Sequence, residues 1–308
     1  MRNLPLLTFC LALFLLRASY GHQRLVVFGD SLSDDGNTFA VAGVPGIPYF
    51  QGRYSNGPNW VDYLQGIANH FNVDISLPTP WLKDPTNSDD NATDFAVGGS
   101  TSRDSNVLNG AFPKFPDQIM AYQQRLGSNN AADDLCVIWI GANDFAAGIE
   151  PPKTVANIKG AIEDLSASGA KNFVVITIPD LALTPQVKAL GGATILAATQ
   201  FVVTTNVLLA VELPRFAFAH QISIDLVDIN TIFIPLVFSP GRFGFTNSSG
   251  EAYNLNLPLS SSNPVADPND YVFWDGFHPT TNAHKLAAAL IFNKIFLNRY
   301  LRPFLSFR

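Results

Sequence analysis

Cysteine and charge are both scarce in this sequence. Of its 308 residues only Cys10 and Cys136 carry a thiol, and Asp, Glu, Lys and Arg together make up 14% of the chain. Cys10 falls inside an N-terminal apolar run that reads as a removable segment, so Cys136 is left alone and no intrachain disulfide is expected. Its place within Leu135-Cys136-Val137-Ile138-Trp139-Ile140 argues against a catalytic thiolate, which needs a partly exposed, electropositive site; core packing is the reading that remains. The formal net charge of −6 withholds the basic face that a nucleic-acid partner would require. His-Glu-x-x-His and Cys-x-x-Cys spacings are missing, and His70, His220 and His284 have no partner at metal-ligand spacing. They read as structural histidines, and neither a metal nor an organic cofactor is expected. No internal repeat or low-complexity tract interrupts the chain.

What is present is apolar surface. Almost half of the residues are hydrophobic, enough for a sizeable core in one large domain or two small ones. Arg2, the run Leu4 to Leu16 and the small residues Ser19 and Gly21 have the form of a secretory signal peptide over residues 1–21. The run is shorter than the ~20 apolar residues that a bilayer span requires. A mature secreted chain from His22 is the expectation, with no further membrane span. Asn91-Ala92-Thr93 and Asn247-Ser248-Ser249 match the acceptor pattern for N-glycosylation, which would place both in surface loops.

Short β-branched runs occur at 23–30, 135–140, 173–178 and 222–229, and segments of helical period lie between them at 116–126, 155–168 and 193–219, with a last one at 281–298. Strands that alternate with helices imply an α/β fold whose parallel sheet is covered on both faces. Residues 42–58 and 77–94, rich in Gly, Pro, Asn and Asp, are expected as loops, as is 240–270. Neither half carries a complete set of strands, so 22–308 reads as a single domain with long loops.

The chemistry-bearing residues stand at strand ends, where open α/β sheets hold their sites. Gly29-Asp30-Ser31-Leu32-Ser33-Asp34 follows the first strand, and Asp275-Gly276-Phe277-His278 comes nearly the whole chain later. A serine hydroxyl is a poor nucleophile unless a base takes its proton and a third group holds that base in the right tautomer. Ser31, His278 and Asp275 can fill these roles; alone, Ser31 could equally be a turn serine. Attack on an ester also needs donors for the developing oxyanion. Gly98-Gly99 permits close backbone approach and Asn143 follows directly on a strand, although each could also be an ordinary loop residue. Asp30 and Asp34 read as groups that fix the loop by accepting backbone N–H bonds.

Taken in order, Gly29-Asp30-Ser31-Leu32, Phe95-Ala96-Val97-Gly98-Gly99-Ser100-Thr101, Gly141-Ala142-Asn143-Asp144 and Asp275-Gly276-Phe277-His278 resemble the four sequence blocks of the GDSL, or SGNH, hydrolases. Residues 53–60 and 243–247 resemble phrases of the branch containing plant GDSL lipases and bacterial secreted phospholipases. The resemblance implies a three-layer α/β/α sandwich, flavodoxin-like, with Ser31 as nucleophile, His278 as general base and Asp275 as its orienting acid. The oxyanion donors it implies are the backbone N–H of Ser31, the backbone N–H of Gly99, with Gly98 one residue away, and the amide of Asn143. One departure is Asp94, where relatives usually open the glycine block with Asn.

The expected partner is a small-molecule or lipid ester. Abundant Phe and the apolar loop residues Val44, Ile47, Tyr49, Phe50 and Phe112, which could line an acyl channel, favour a lysophospholipase or lipase, with acyl transfer to an alcohol as an added capacity. Two alternatives are a carbohydrate acetylesterase of the same mechanism and a non-catalytic binding protein that keeps the fold. Residues 296–308 interleave aromatics with arginines, as would an interfacial anchor for transient membrane-surface contact or a last helix docked on the sheet.

Overall fold

The computed structural model describes residues 23–70, 75–76, 79–83, 93–127, 129–260 and 263–297. The signal-peptide reading of 1–21, the acceptor Asn91 and the tail from 298 lie outside them. At the centre is a parallel sheet in which β1 (Gln23–Gly29), β5 (Asp134–Trp139), β6 (Asn172–Ile176) and β7 (Ser223–Val227) lie side by side in that order. Beyond β1 come the two-residue strands β4 (Thr93–Asp94) and β3 (Thr79–Pro80), and β2 (Ile75–Ser76) also pairs with β1. The four runs expected as strands are therefore strands. The region 77–94, expected as loop, contributes two short strands within its described part, β3 at the sheet edge and β4 between it and β1.

Period-two alternation sorts the core into two layers. Val26, Phe28, Cys136, Ile138, Phe173 and Val175 face one side, against α3 (Phe115–Leu126), α5 (Pro151–Ala167) and α7 (Gly192–His220). Leu25, Val27, Leu135, Val137, Val174 and Ile176 face the other, against α2 (Trp60–His70) and α9 (Thr281–Phe292). Helices on both faces of a mostly parallel sheet make a three-layer α/β/α sandwich. Cys136 is a buried, free thiol in the first layer, and burial pushes its pKa well above the ordinary thiol range, which leaves it a packing residue.

Two features depart from the sequence reading. Asn247 and Ser248 open β8 (Asn247–Glu251), which pairs in parallel with β9 (Tyr271–Phe273), so the supposed loop 240–270 contributes one strand of a small second sheet. In addition, α7 has 29 residues and is long and apolar enough to cross a membrane by length and composition. One of its faces, with Phe201, Val202, Leu209 and Leu213, is buried in the sandwich, while Val203, Val207 and Val211 are exposed. Packing on the sheet accounts for the apolar residues of the buried face.

Candidate active site

Ser31 stands two residues past the last residue of β1, where the chain leaves the sheet. Gln118 of α3 fixes this strand end: its side-chain oxygen accepts from Gly29 N–H at 3.0 Å, and its amide donates to the Gly29 carbonyl at 2.8 Å. Asp30 Oδ1 accepts the Leu32 N–H at 3.0 Å and tightens the turn. Burial raises the Asp30 carboxyl to about 7.

His278 arrives from the other end of the chain, after β9 and before α9. Its Nε2 lies 2.8 Å from Ser31 Oγ, and its Nδ1 lies 2.8 Å from Asp275 Oδ2. An ionised carboxylate can only accept, so the Nδ1 proton belongs to the Asp275 bond and Nε2 is left to accept from the serine hydroxyl. Asp275 is almost fully buried. Burial would lift its pKa, yet the His278 ring, the Tyr49 hydroxyl at 2.7 Å and the N–H of Phe277 outweigh burial and hold it below the ordinary carboxylate value. In His278, burial disfavours the charged ring, but Asp275, by charge and hydrogen bond, and Asp30 raise its pKa above the ordinary imidazole value. Tyr54 also covers this ring, with centroids 5.1 Å apart.

The glycine block comes to the same place because β4 pairs with β1, and Val97 N–H continues the ladder to the Gly29 carbonyl. Gly98 N–H is occupied, donating to Asp34 Oδ2 and Thr38 Oγ1, both at 2.8 Å. Gly99 N–H has no acceptor among the described residues, and Gly99 lines the cavity beside Ser31 and Asn143. Both glycines are required: a Cβ on Gly98 would strike the Tyr54 ring, and Gly99 holds φ at +77°. Asn143, in the short helix Ala142–Ala146 after β5, donates one amide hydrogen to the Ser100 carbonyl at 3.0 Å and keeps a second. Asp144 ties that helix to the glycine block by accepting from the Ser102 N–H at 2.7 Å. Of the five residues singled out from sequence, Ser31, Gly99, Asn143 and His278 line one cavity, and Asp275 is buried behind His278.

Asp34 is a loop fixer of the expected kind and accepts the N–H groups of Gly36, Asn37, Thr38 and Gly98. Asp94, the departure from the family pattern, accepts from the N–H groups of Ala96 and Asp35 and faces the Asp35 carboxyl. Both acids are buried, and burial raises both pKa values; Arg53 opposes this at Asp35, while Asp34 adds to it at each. A carboxyl with a raised native pKa stabilises the fold fully below its unfolded value of ~4 and loses that contribution as pH rises towards the native value. Asp94→Asn, which removes one of the two facing carboxyls, is therefore expected to flatten the fall in Tm from pH ~4 upward relative to the parent. Parallel Tm curves for the two proteins would contradict this pairing.

A cavity of about 320 Å³ opens at Ser31. Leu32, from the turn after β1, lines it together with Ile229, Ile232, Phe233, Leu236 and Ala287, from the end of β7 and from α8 (Asn230–Phe238) and α9, as an apolar inner wall. His284 also lines it, kept neutral by burial and by His278, which lower its pKa to about 3. The loop residues expected to form an acyl channel do not line this cavity. Val44 and Ile47 are exposed, Phe112 packs inward and Tyr49 is turned onto Asp275. Among the described residues no group of three or more His, Cys, Asp or Glu could hold a metal ion.

Sequence reasoning missed Gln118 and gave Tyr49 a different place, in the acyl channel. Tyr49 reaches Asp275 across 226 positions, so no local pattern could mark it. Tyr49→Phe removes one donor from Asp275, which leaves more negative charge facing His278. The acid limb of the pH–activity profile is expected to move to higher pH, and an unshifted limb would make Tyr49 a packing residue only.

A sequence profile for the family described as GDSL-like Lipase/Acylhydrolase matches residues 25–291. The thermolabile hemolysin of Vibrio parahaemolyticus is 27% identical over 282 residues, which cover 86% of this chain and 62% of the hemolysin. The phosphatidylcholine-sterol acyltransferase of Aeromonas hydrophila is 26% identical over 316 residues, 85% of this chain and 87% of that enzyme. The chain therefore spans under two thirds of the first relative and most of the second. Among solved structures, a member of the lipolytic protein G-D-S-L family from Veillonella parvula is 14% identical, with 90% of this chain and 99% of that one covered and a TM-score of 0.43.

Proposed function

The chain belongs to the GDSL-like lipase/acylhydrolase family, a family of carboxylic-ester hydrolases, and from that premise we propose that it is a secreted enzyme that cleaves acyl esters of lipids through Ser31, His278 and Asp275. The observation that carries the reading is the unbroken chain of hydrogen bonds from Asp275 through His278 to Ser31 Oγ. Secretion rests on the pattern of residues 1–21.

Ser31 Oγ attacks the acyl carbonyl as its proton passes to His278 Nε2, and Asp275 steadies the imidazolium. The carbonyl oxygen gains charge and takes hydrogen bonds from the N–H of Ser31, the N–H of Gly99 and the free amide hydrogen of Asn143. Gly99 is assigned in preference to Gly98 because the Gly98 N–H is already spent on Asp34 and Thr38. Collapse breaks the ester bond, and the alcohol leaves with the proton from His278. Water, activated by the same ring, then releases the acid from the acyl-serine; an alcohol in its place gives acyl transfer.

The apolar inner wall favours a long acyl group over acetate, because each CH₂ buried there contributes about 0.8 kcal/mol. A chain-length series of p-nitrophenyl esters tests the choice. kcat/KM is expected to rise from acetate to longer chains, and a sharp preference for acetate would point to an acetylesterase. Activity should fall on the acid side along a limb above the ordinary imidazole value of ~6.5, since the His278 pKa is raised and the charged ring cannot accept a proton. A profile flat across that range would remove His278 as the base.

A further inference from the structure

We propose that His284 gives the cavity a polar subsite, and that the acyl group bound there carries an oxygen acceptor, an ether or carbonyl oxygen, partway along its chain. The proposal rests on the lipid-ester reading for the presence of an acyl chain in the cavity. Its own ground is the imidazole ring of His284, which the hydrolytic steps do not use.

His284 is the fourth residue of α9 and heads the buried stripe that continues with Ala287, Ala288 and Ile291. Those three pack as hydrocarbon against the sheet, whereas His284 lines the cavity together with Ala283 and Ala287. The residue is 2% exposed, and a structural histidine so placed is expected to bond through at least one ring nitrogen. It does not. Its backbone N–H donates to the Thr280 carbonyl at 3.0 Å, but neither ring nitrogen bonds a described residue, and Nδ1 is sealed in without a partner. Other polar side chains of the lining are committed: Asp30 accepts from the Leu32 N–H, and the Thr184 hydroxyl donates to the Leu181 carbonyl at 2.7 Å. Ser31, Asn143 and His278 belong to the proposed chemistry. His284 is a buried polar group for which the chain itself supplies no bond.

Burial and the neighbouring His278 keep this ring neutral, so it carries one proton on one of its two nitrogens. On Nδ1 that proton would be a sealed donor with nothing to meet. On Nε2, the nitrogen that is not sealed, it can meet an acceptor that enters the cavity. A saturated chain against this wall leaves the N–H unpaired, while an oxygen at the matching carbon pairs it. Leu32, Ile232, Phe233 and Leu236 supply apolar contact for the remainder of the chain. A site built to bond a substrate group discriminates against the analogue that lacks it.

A positional scan tests the subsite. The substrates are p-nitrophenyl esters of one acyl length in which a single CH₂ is replaced by an ether oxygen at successive positions, beyond the carbons nearest the ester. kcat/KM is read on the alkaline side of the His278 limb. In the parent, one position is expected to stand above its neighbours. In His284→Leu the ratio of that ester to the all-carbon ester should fall about fivefold, the equivalent of about 1 kcal/mol for one hydrogen bond. His284→Gln, which keeps a donor, should retain part of the preference. Taking the ratio within each protein cancels any effect of the substitution that both esters share. A flat scan in the parent overturns the proposal whether or not the variants fold, and an unchanged ratio in folded His284→Leu overturns it as well and leaves His284 a packing residue. A parent that cleaves no long-chain ester at all refutes the lipid-ester reading and the subsite with it, whereas rapid cleavage with a flat scan refutes the subsite alone.

Discussion

Ser31→Ala is expected to lower kcat for every ester substrate by about 10⁴- to 10⁶-fold, or roughly 5–8 kcal/mol of transition-state stabilisation, while the protein stays folded. The size follows from the role. Without Oγ there is no atom to carry the acyl group, and His278 is left facing space with no proton to take. What remains is the oxyanion donors and substrate binding, which act on direct attack by water. The fold should hardly notice, because among the described residues the Ser31 hydroxyl bonds only His278 and a net hydrogen bond is worth about 1 kcal/mol. Measurement of kcat together with the Tm of the purified variant checks both parts. Turnover at the parental rate would remove Ser31 from the chemistry, and a collapsed Tm would show that its role is structural.

Asn143→Ala is expected to lower kcat by about 10²- to 10³-fold with little change in KM. The amide hydrogen not held by Ser100 meets full charge on the carbonyl oxygen in the transition state and only a weak dipole in the ground state. Its removal should therefore appear in the chemical step and leave ground-state binding alone. The side chain also ties the helix after β5 to the glycine block through the Ser100 carbonyl, so a control is needed. Asn143→Asp supplies it: a carboxylate of the same shape can neither bond Ser100 nor donate to an oxyanion, and should be at least as impaired. A proportional rise in KM with kcat unchanged would instead make Asn143 a substrate-binding residue.

The parts of this site that sequence revealed are those with a local signature. Gly29-Asp30-Ser31 and Asp275-Gly276-Phe277-His278 are short blocks next to strands whose β-branched runs are conspicuous, and a parallel sheet places such strand ends together. Strands β2, β3 and β4 left no trace because two residues cannot display a period, and Pro80 within β3 argues against a strand unless it lies at an edge. The inner wall of the cavity was hidden for a related reason. Helix α8 reads Asn230-Thr231-Ile232-Phe233-Ile234-Pro235-Leu236-Val237-Phe238, apolar nearly all round and interrupted by Pro235, so it offers no helical stripe to recognise. Tyr49 and Gln118 act through hydrogen bonds to residues 226 and 89 positions away, and only the folded chain brings those partners into view.

The proposed mechanism requires that Ser31 become acylated. It is tested most directly by mixing the protein with a long-chain p-nitrophenyl ester, quenching during turnover, and mapping the acyl adduct by peptide mass spectrometry. An acyl group is expected on the peptide that contains Ser31, absent in Ser31→Ala and strongly reduced in His278→Ala. An adduct on another residue, or full ester turnover with Ser31 never modified, would contradict it.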